Sequence, residues 1–160
     1  MKKTVCIFIL FYLINSSAFS QTIIAGPIVG AVTYNSAQMK FISDKPIEGF
    51  VKVSNQPILK KNGKINEQVN ADNSILIRFF PIDSFNKVTV FNFDKLNSNT
   101  VYYYYISYGS SEITGSFKIF PKPNTLSNFT FTFGSCTENF KNDSVFVAMQ
   151  KVNPDFFVHL

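Results

Sequence analysis

Residues 96–104 read LNSNTVYYY, and this stretch decides the fold. Three residues that turn the chain easily, Asn97 to Asn99, lead directly into a run of β-branched and aromatic side chains. Asn and Ser favour turns because their side chains hydrogen-bond to the nearby backbone, whereas Thr, Val and Tyr suit a half-buried pleated surface. The stretch therefore predicts a tight turn that opens a core strand of a β-sheet.

Six further runs of similar length and composition lie on either side of it. Turn-forming residues separate the runs, and no segment before Lys141 keeps the 3.6-residue period of an amphipathic helix. Seven short β-rich runs predict an Ig-like or fibronectin-like β-sandwich. The predicted strands are Ile28 to Tyr34, Gln38 to Ser43, Ile47 to Ser54, Ser74 to Phe80, Lys87 to Phe93, Val101 to Tyr108 and Glu112 to Phe120.

Alternation is clearest in the run from Lys87 to Phe93. A strict two-residue period predicts a strand with one face buried and one face solvated. We assign Val88 and Val90, with one face of the aromatic residues, to the core side. Thr89 and Asn92 are then expected on the solvent side.

The turn at residues 96–104 also resembles a known family. It is similar to the L-x-P-x-T-x-Y segment of fibronectin type III domains, with Ser98 where that family usually has Pro. The resemblance implies that Leu96 is buried, that Thr100 starts the next strand and that the Tyr102 hydroxyl closes a tyrosine corner. The alternative is an ordinary Tyr-rich core strand, and both interpretations give the segment a structural role.

The amino terminus has the layout of a signal peptide. Lys2 and Lys3 precede an apolar run from Thr4 to Ile14, and Ala18 and Ser20 supply the small side chains that a signal peptidase needs. We therefore predict cleavage after Ser20 and a secreted or periplasmic protein. A membrane anchor is the less favoured alternative, because a spanning helix needs roughly 20 apolar residues.

Removal of this peptide changes the cysteine count and the charge. Cys6 leaves with the peptide, so Cys136 remains as a single thiol and no intramolecular disulfide is expected. A lone thiol can be a buried small side chain, a reactive group or a metal ligand. The net charge falls from +5 to +3 with the loss of Lys2 and Lys3. No basic patch or motif indicates nucleic-acid binding.

Two prolines mark the end of the predicted sandwich. The segment Pro121-Lys122-Pro123-Asn124-Thr125 predicts a linker, because proline fixes φ and removes a hydrogen-bond donor. The sequence thus divides into a signal peptide (1–20), a β-sandwich domain (22–120), a linker (121–127) and the start of a second domain (128–160).

The last part of the sequence predicts a β-α-β unit. Residues 128–134 alternate as a strand and residues 141–152 have a helical pattern in which Val145, Ala148, Met149 and Val152 share one face. Residues 154–160 are predicted to form a fully buried strand. This order requires a parallel strand pair. The 33 residues from 128 to 160 are too few to bury a core alone, so we expect them not to fold independently.

Two motifs in this unit resemble PhoD-like alkaline phosphatases. Phe133-Gly134-Ser135-Cys136 is similar to the F-G-S-C turn of that family, and residues 154–160, PDFFVHL, are similar to its P-D-F-x-x-H-L-G-D strand. The sequence stops where Gly-Asp is expected. Residues 26–33, GPIVGAVT, resemble the opening of the accessory β-domain that precedes the phosphatase core. The resemblance spans nearly all of the mature chain, and the two motifs on either side of a helix are its most specific part.

The resemblance implies a metal site. In that family the cysteine binds iron and calcium ions complete the cluster, so Cys136 is implied as a metal ligand, a role that suits a soft, anionic thiolate. The sequence lacks the Asp-x-His motif that ends the first strand of metallophosphoesterases generally. Glu138 is interpreted as a solvated loop carboxylate and Asp155 as a turn residue. His159 receives no assigned role.

The implied function is that of a metal-dependent phosphoric ester hydrolase acting on phosphomonoesters or phosphodiesters, of which this chain is the amino-terminal part. One thiolate cannot assemble the metal cluster that such hydrolysis needs, so we expect this chain to be inactive by itself. We also expect it to be a monomer. The alternative is a secreted sandwich module that binds carbohydrate or protein, with residues 128–160 as a disordered tail. The apolar residues 156–160 argue against a solvated tail.

Overall fold

The computed structural model describes residues 22–58, 60–61, 64–65, 74–80, 87–135 and 143–160. Within these residues the chain is mainly β, and its one helix, α1, comprises Asp143–Lys151. The strands are β1 Ile23–Gly30, β2 Ala37–Ser43, β3 Gly49–Ser54, β4 Lys60–Lys61, β5 Lys64–Ile65, β6 Ser74–Phe79, β7 Val88–Phe93, β8 Val101–Tyr108, β9 Ser111–Lys118, β10 Phe131–Gly134 and β11 Phe156–His159.

Seven of these strands form two antiparallel sheets. One sheet has the order β1-β2-β7 and the other has the order β6-β3-β8-β9. The strand β6 pairs with β3, whereas in an immunoglobulin constant domain the fourth strand joins the sheet of the first, second and fifth strands. The predicted Ig-like or fibronectin-like β-sandwich is therefore confirmed.

The core of the sandwich is built mainly from aromatic and β-branched side chains on the inward faces of both sheets. Phe41, Phe79 and Phe91 form a triangle with ring centroids 5.5 to 5.8 Å apart. Such tilted and edge-on contacts add to the stability gained from burying apolar area. The buried cluster comprises Ala37, Met39, Phe41, Ile47, Val51, Val53, Phe79, Phe91, Phe93, Leu96, Tyr102, Ile106, Tyr108, Phe117 and Ile119.

The predicted orientation of β7 is wrong for Val88, Thr89 and Val90, whereas Asn92 is exposed and the aromatic residues are buried, as predicted. Thr89 is buried at 9% exposure together with Phe91 and Phe93, whereas Val90 is 46% exposed and Val88 only partly buried. Both faces of this strand carry apolar side chains, so alternation alone does not fix the phase. The two phenylalanine rings remove more apolar area from water than two valines, and they set the inward face.

The predicted tyrosine corner is confirmed. Leu96 and Tyr102 are both buried, and the backbone amide of Asn97 donates a 2.9 Å hydrogen bond to the Tyr102 Oη. The Thr100 hydroxyl donates to the Ser98 carbonyl at 3.0 Å, which stabilises the turn in place of the family's proline. The corner therefore forms without the proline, and β8 begins at Val101.

The first strand begins five residues earlier than predicted, at Ile23, and pairs with β2 through an irregular register. Gly26 lies at this irregularity with φ of +91°, and a β-carbon there would approach the Lys40 carbonyl oxygen to 2.9 Å. Only glycine fits both the backbone conformation and the close approach. The neighbouring Pro27 lies on an edge strand, where a missing donor is tolerated.

The strands β10 and β11 and the helix α1 form the predicted β-α-β unit. β10 and β11 run parallel, from Phe131 opposite Phe156 to Gly134 opposite His159, and α1 precedes β11. The prediction that the last strand is fully buried is wrong, because Phe157 and His159 are exposed. Within the described residues β11 has a strand neighbour on one side only, so part of its surface has no cover.

Several earlier assignments lie outside the described residues. These are the signal peptide at residues 1–20, Cys136 and Glu138. In the part of the chain that the structure does describe, no helix has the length and apolar character needed to cross a membrane.

Candidate functional site at the strand ends

The carboxyl ends of β10 and β11 meet at one edge of the parallel pair. Gly134 lies opposite His159, and the Leu160 amide donates a 2.9 Å hydrogen bond to the Gly134 carbonyl. This pairing brings Ser135, which follows Gly134, to the same edge as His159. Open α/β sheets bind their ligands at the carboxyl ends of parallel strands, so this edge is the candidate site.

His159, to which the sequence assigned no role, lies at this edge. Its side chain is exposed, and its ring contacts that of Phe157 with centroids 6.3 Å apart and planes at 70°. The parallel register with β10 places it opposite Gly134, one residue before Ser135. The sequence alone could not reveal this, because His159 and Gly134 are 25 residues apart in the sequence.

This edge carries few side chains, within the described residues, that could bind a metal ion. Ser135 and His159 are its polar side chains within the described residues, and no group of three or more His, Cys, Asp or Glu side chains in the described ranges could hold a metal ion. One imidazole and one hydroxyl do not supply the several anionic ligands that an iron and calcium cluster requires. The described residues therefore do not fit such a cluster by themselves.

Asp155 lies at the opposite edge, where the two strands begin. One carboxylate oxygen accepts from Lys118 Nζ at 2.6 Å, and the other accepts from the Thr130 amide at 2.9 Å. The hydrogen bond from Lys118, followed by that from Thr130, holds the pKa of this carboxyl below its usual range. Asp155 lies at a bend directly before β11, as predicted for a turn residue, but its carboxylate bonds to distant segments and not to its own turn. Its partners lie 37 and 25 residues earlier in the sequence, and a short motif does not reveal such contacts.

A pocket of about 400 Å³ lies beside Asp155. Phe120, Phe129 and Phe156 line it, and the irregular segment from Pro121 to Asn128 runs along its rim. The pocket adjoins the amino ends of β10 and β11. It therefore does not coincide with the strand ends at which α/β enzymes place their reacting groups.

The two faces of the parallel pair carry exposed apolar side chains. Phe133 is 63% exposed, and Phe131 and Phe157 are exposed as well. The predicted apolar face of α1 is also uncovered: Val145 and Val152 are exposed and only Met149 is partly buried. Parallel sheets in other proteins are covered on both faces, whereas both faces of this strand pair carry exposed apolar side chains.

Comparison with known proteins gives a likeness in fold. No protein-family model and no curated protein matches the sequence. A solved structure of PhoD matches with a TM-score of 0.63 and 19% identity over 82% of this chain, and the chain spans 26% of the length of that structure. A computationally redesigned β-sandwich protein matches with a TM-score of 0.39 and 18% identity over 59% of this chain and 89% of its own. The sensor domain of the anti-sigma factor RsgI4 from Pseudobacteroides cellulosolvens matches with a TM-score of 0.41 and 13% identity over 66% of this chain and 100% of its own.

Proposed function

We propose that this chain is the amino-terminal part of an exported, metal-dependent phosphatase or phosphodiesterase of the PhoD type. In this proposal the sandwich is an accessory domain and residues 128–160 begin the catalytic domain. The 160 residues alone hydrolyse nothing. The complete protein acts on phosphoesters as a monomer outside the cytoplasm.

The observation that carries the proposal is the register of β10 and β11. It brings the Phe133-Gly134-Ser135 end of one strand next to the His159-Leu160 end of the other, so both motifs that resemble the PhoD-like family share one edge. The fold likeness to the PhoD structure over 82% of this chain supports the same order of elements. The exposed apolar faces of the unit are consistent with further strands and helices in the complete protein.

Cys136 is the proposed metal ligand of this edge. It follows Ser135 in the sequence and would present a thiolate at the carboxyl ends of the parallel strands. Iron bound to this thiolate, with calcium ions held by residues beyond this chain, would polarise the phosphoryl group and lower the pKa of a bound water. Metal binding also keeps the thiol deprotonated, which a buried structural cysteine does not require.

The test is made in the complete protein that the reading frame beyond Leu160 encodes. Replacement of Cys136 by Ala should lower the iron content and reduce the rate towards a chromogenic phosphodiester at least about 100-fold, because one metal ligand is lost. Cys136→Ser should retain a small part of both. Cys6→Ala is the matched control, since the predicted signal peptidase cleavage removes that residue.

Two outcomes would contradict the proposal. Unchanged metal content and rate in Cys136→Ala would show that the thiol is not a ligand. A reading frame that encodes no continuation of the α/β core after Leu160 would leave the metal cluster incomplete. A secreted binding module would then be the better interpretation.

A further inference from the structure

Asp155 joins three segments that are distant in sequence. Its carboxylate accepts from Lys118 Nζ at 2.6 Å and from the Thr130 amide at 2.9 Å, and its own amide donates to the Thr130 carbonyl at 2.7 Å. Lys118 is the last residue of β9 in the sandwich. Thr130 immediately precedes β10, and Asp155 immediately precedes β11. The two residues therefore hydrogen-bond to each other in both directions, next to the first residue pair of the two strands.

An aromatic contact lies directly beside this ion pair. Phe120, two residues after Lys118, meets Phe156, the residue after Asp155, with ring centroids 5.5 Å apart and planes at 73°. Phe156 in turn stacks on Phe131 at 5.5 Å and 8°. The sandwich is thus attached to the parallel pair at two adjacent points, one polar and one aromatic.

The two parts are not joined by a continuous β-sheet in the described residues. In the described residues no strand of the sandwich pairs with β10 or β11, and the pocket beside Phe120 leaves the junction loosely packed. Apolar contacts are non-directional, so two rings permit rotation about their contact. A carboxylate held from two directions by an ammonium group and a backbone amide is directional, and hydrogen bonds to charged groups are the stronger ones.

We propose that the Lys118–Asp155 ion pair is a clamp that fixes the orientation of the β10–α1–β11 unit on the sandwich. Asp155 then acts as a positioning residue at the amino ends of the strands, on the edge opposite the candidate site. The competing interpretation is that the Asp155–Thr130 pair suffices and that the ion pair is incidental. That alternative is physically reasonable, because the Lys118 and Asp155 side chains are 34% and 22% exposed and exposed ion pairs contribute little to stability.

Amide hydrogen exchange of this chain separates the two interpretations without any assay of phosphoester hydrolysis. Lys118→Met keeps the length and apolar stem of the side chain and removes the charge. We expect the amides of β10 and β11 to exchange about three- to tenfold faster, while those of β3 and β8 do not change. Lys122→Met, which removes another lysine at the same pocket, is the matched control and should have no effect.

Asp155→Asn gives the second arm. The neutral amide still has an oxygen for the Thr130 amide but loses the attraction to the ammonium group. In Asp155→Asn the amides of β10 and β11 should exchange as fast as they do in Lys118→Met. In the double variant these amides should exchange no faster than in the faster of the two single variants. Lys118→Arg should retain slow exchange. Equal exchange in Lys118→Met and Lys122→Met, or fully additive effects of Lys118→Met and Asp155→Asn, would overturn the clamp. Unchanged protection of β3 and β8 excludes general unfolding as the cause.

Discussion

The sandwich and the β10–α1–β11 unit use similar residues with opposite results. In the sandwich, side chains from both sheets form a buried core, and Met39, Val51 and Ile106 have no exposed surface. In the β-α-β unit, aromatic and β-branched residues are equally frequent, yet Phe133 and Leu160 are largely exposed. Sequence composition is therefore not what distinguishes the two parts.

The difference lies in the number of layers. Two sheets that face each other cover their apolar faces mutually, so the sandwich is complete within this chain. A parallel strand pair needs cover on both faces, and one nine-residue helix is too small to supply it. An amphipathic pattern indicates which surface of a helix or strand must be buried. It does not indicate whether the chain contains the segment that packs against that surface.

Separating the two parts should have the largest effect. A polypeptide of residues 22–120 should unfold cooperatively as a β-protein, whereas residues 121–160 alone should have the circular dichroism spectrum of a random coil. The physical reason is that segments below roughly 40 residues seldom bury enough surface to fold alone. A cooperative thermal transition in residues 121–160, or its absence in residues 22–120, would contradict the comparison.

Truncation of one phenylalanine in each part should give unequal losses. Phe41→Ala removes a ring that is 1% exposed and contacts Phe79 and Phe91. It should lower the free energy of unfolding of the sandwich by about 3–5 kcal/mol, since it leaves a cavity. Phe133→Ala, at 63% exposure, is the control and should change that free energy by less than about 0.5 kcal/mol. Urea unfolding measures both, and similar losses would show that Phe133 is also a core residue.

Removal of the Tyr102 hydroxyl from the tyrosine corner should destabilise the sandwich alone, by an intermediate amount. Tyr102→Phe keeps the ring, which stacks on Phe117 at 5.9 Å, but deprives the Asn97 amide of its acceptor. We expect a loss of about 1–3 kcal/mol in the free energy of unfolding, because a donor left unpaired in a partly buried site costs its solvation. Tyr34→Phe, at an exposed ring, is the matched control. Equal stability of the two variants would mean that the tyrosine corner does not stabilise the fold.

Acidification should have the smallest effect, and it should appear at the junction. Because the folded pKa of Asp155 is depressed, its contribution to docking is present above the unfolded value of about 3.9 and is lost as the pH falls through the lower folded value. The amide resonance of Thr130, which donates to this carboxylate, should report the titration by NMR. In Asp155→Asn the shift should no longer titrate below pH 4. A Thr130 resonance that does not respond to pH in the wild type would contradict the assignment.

Some features depend only on local sequence, and these could be predicted. The tyrosine corner involves residues 96–102, so the turn residues, Leu96 and Tyr102 specify it within one short segment. The extents of β2, β6 and β8 agree with the predicted runs to within about a residue, because turn-forming residues bound each run. The β-α-β unit was also predictable, since its period changes from two to 3.6 between Gly134 and Asp143.

Of the candidate site, the sequence predicted the two motifs and Cys136, and that metal ligand stays a prediction because it lies outside the described residues. The proximity of Gly134 to His159 became visible only in the parallel register.

By itself, then, the sequence determined the tyrosine corner and the extents of β2, β6 and β8, because those preferences arise from each residue's own backbone and its near neighbours. Only the tertiary structure decided the phase of β7, the partners of Asp155 and the exposure of β11. In β7 both faces carry apolar side chains, and Phe91 rather than Val90 faces inward because its ring packs against Phe79 of the opposite sheet. The position of the Asp155 side chain depends on Lys118, which lies 37 residues away in the sequence. The burial of β11 depends on other elements that pack against its two faces. Each of these is settled by contact between distant segments, and a local pattern carries no information about such contacts.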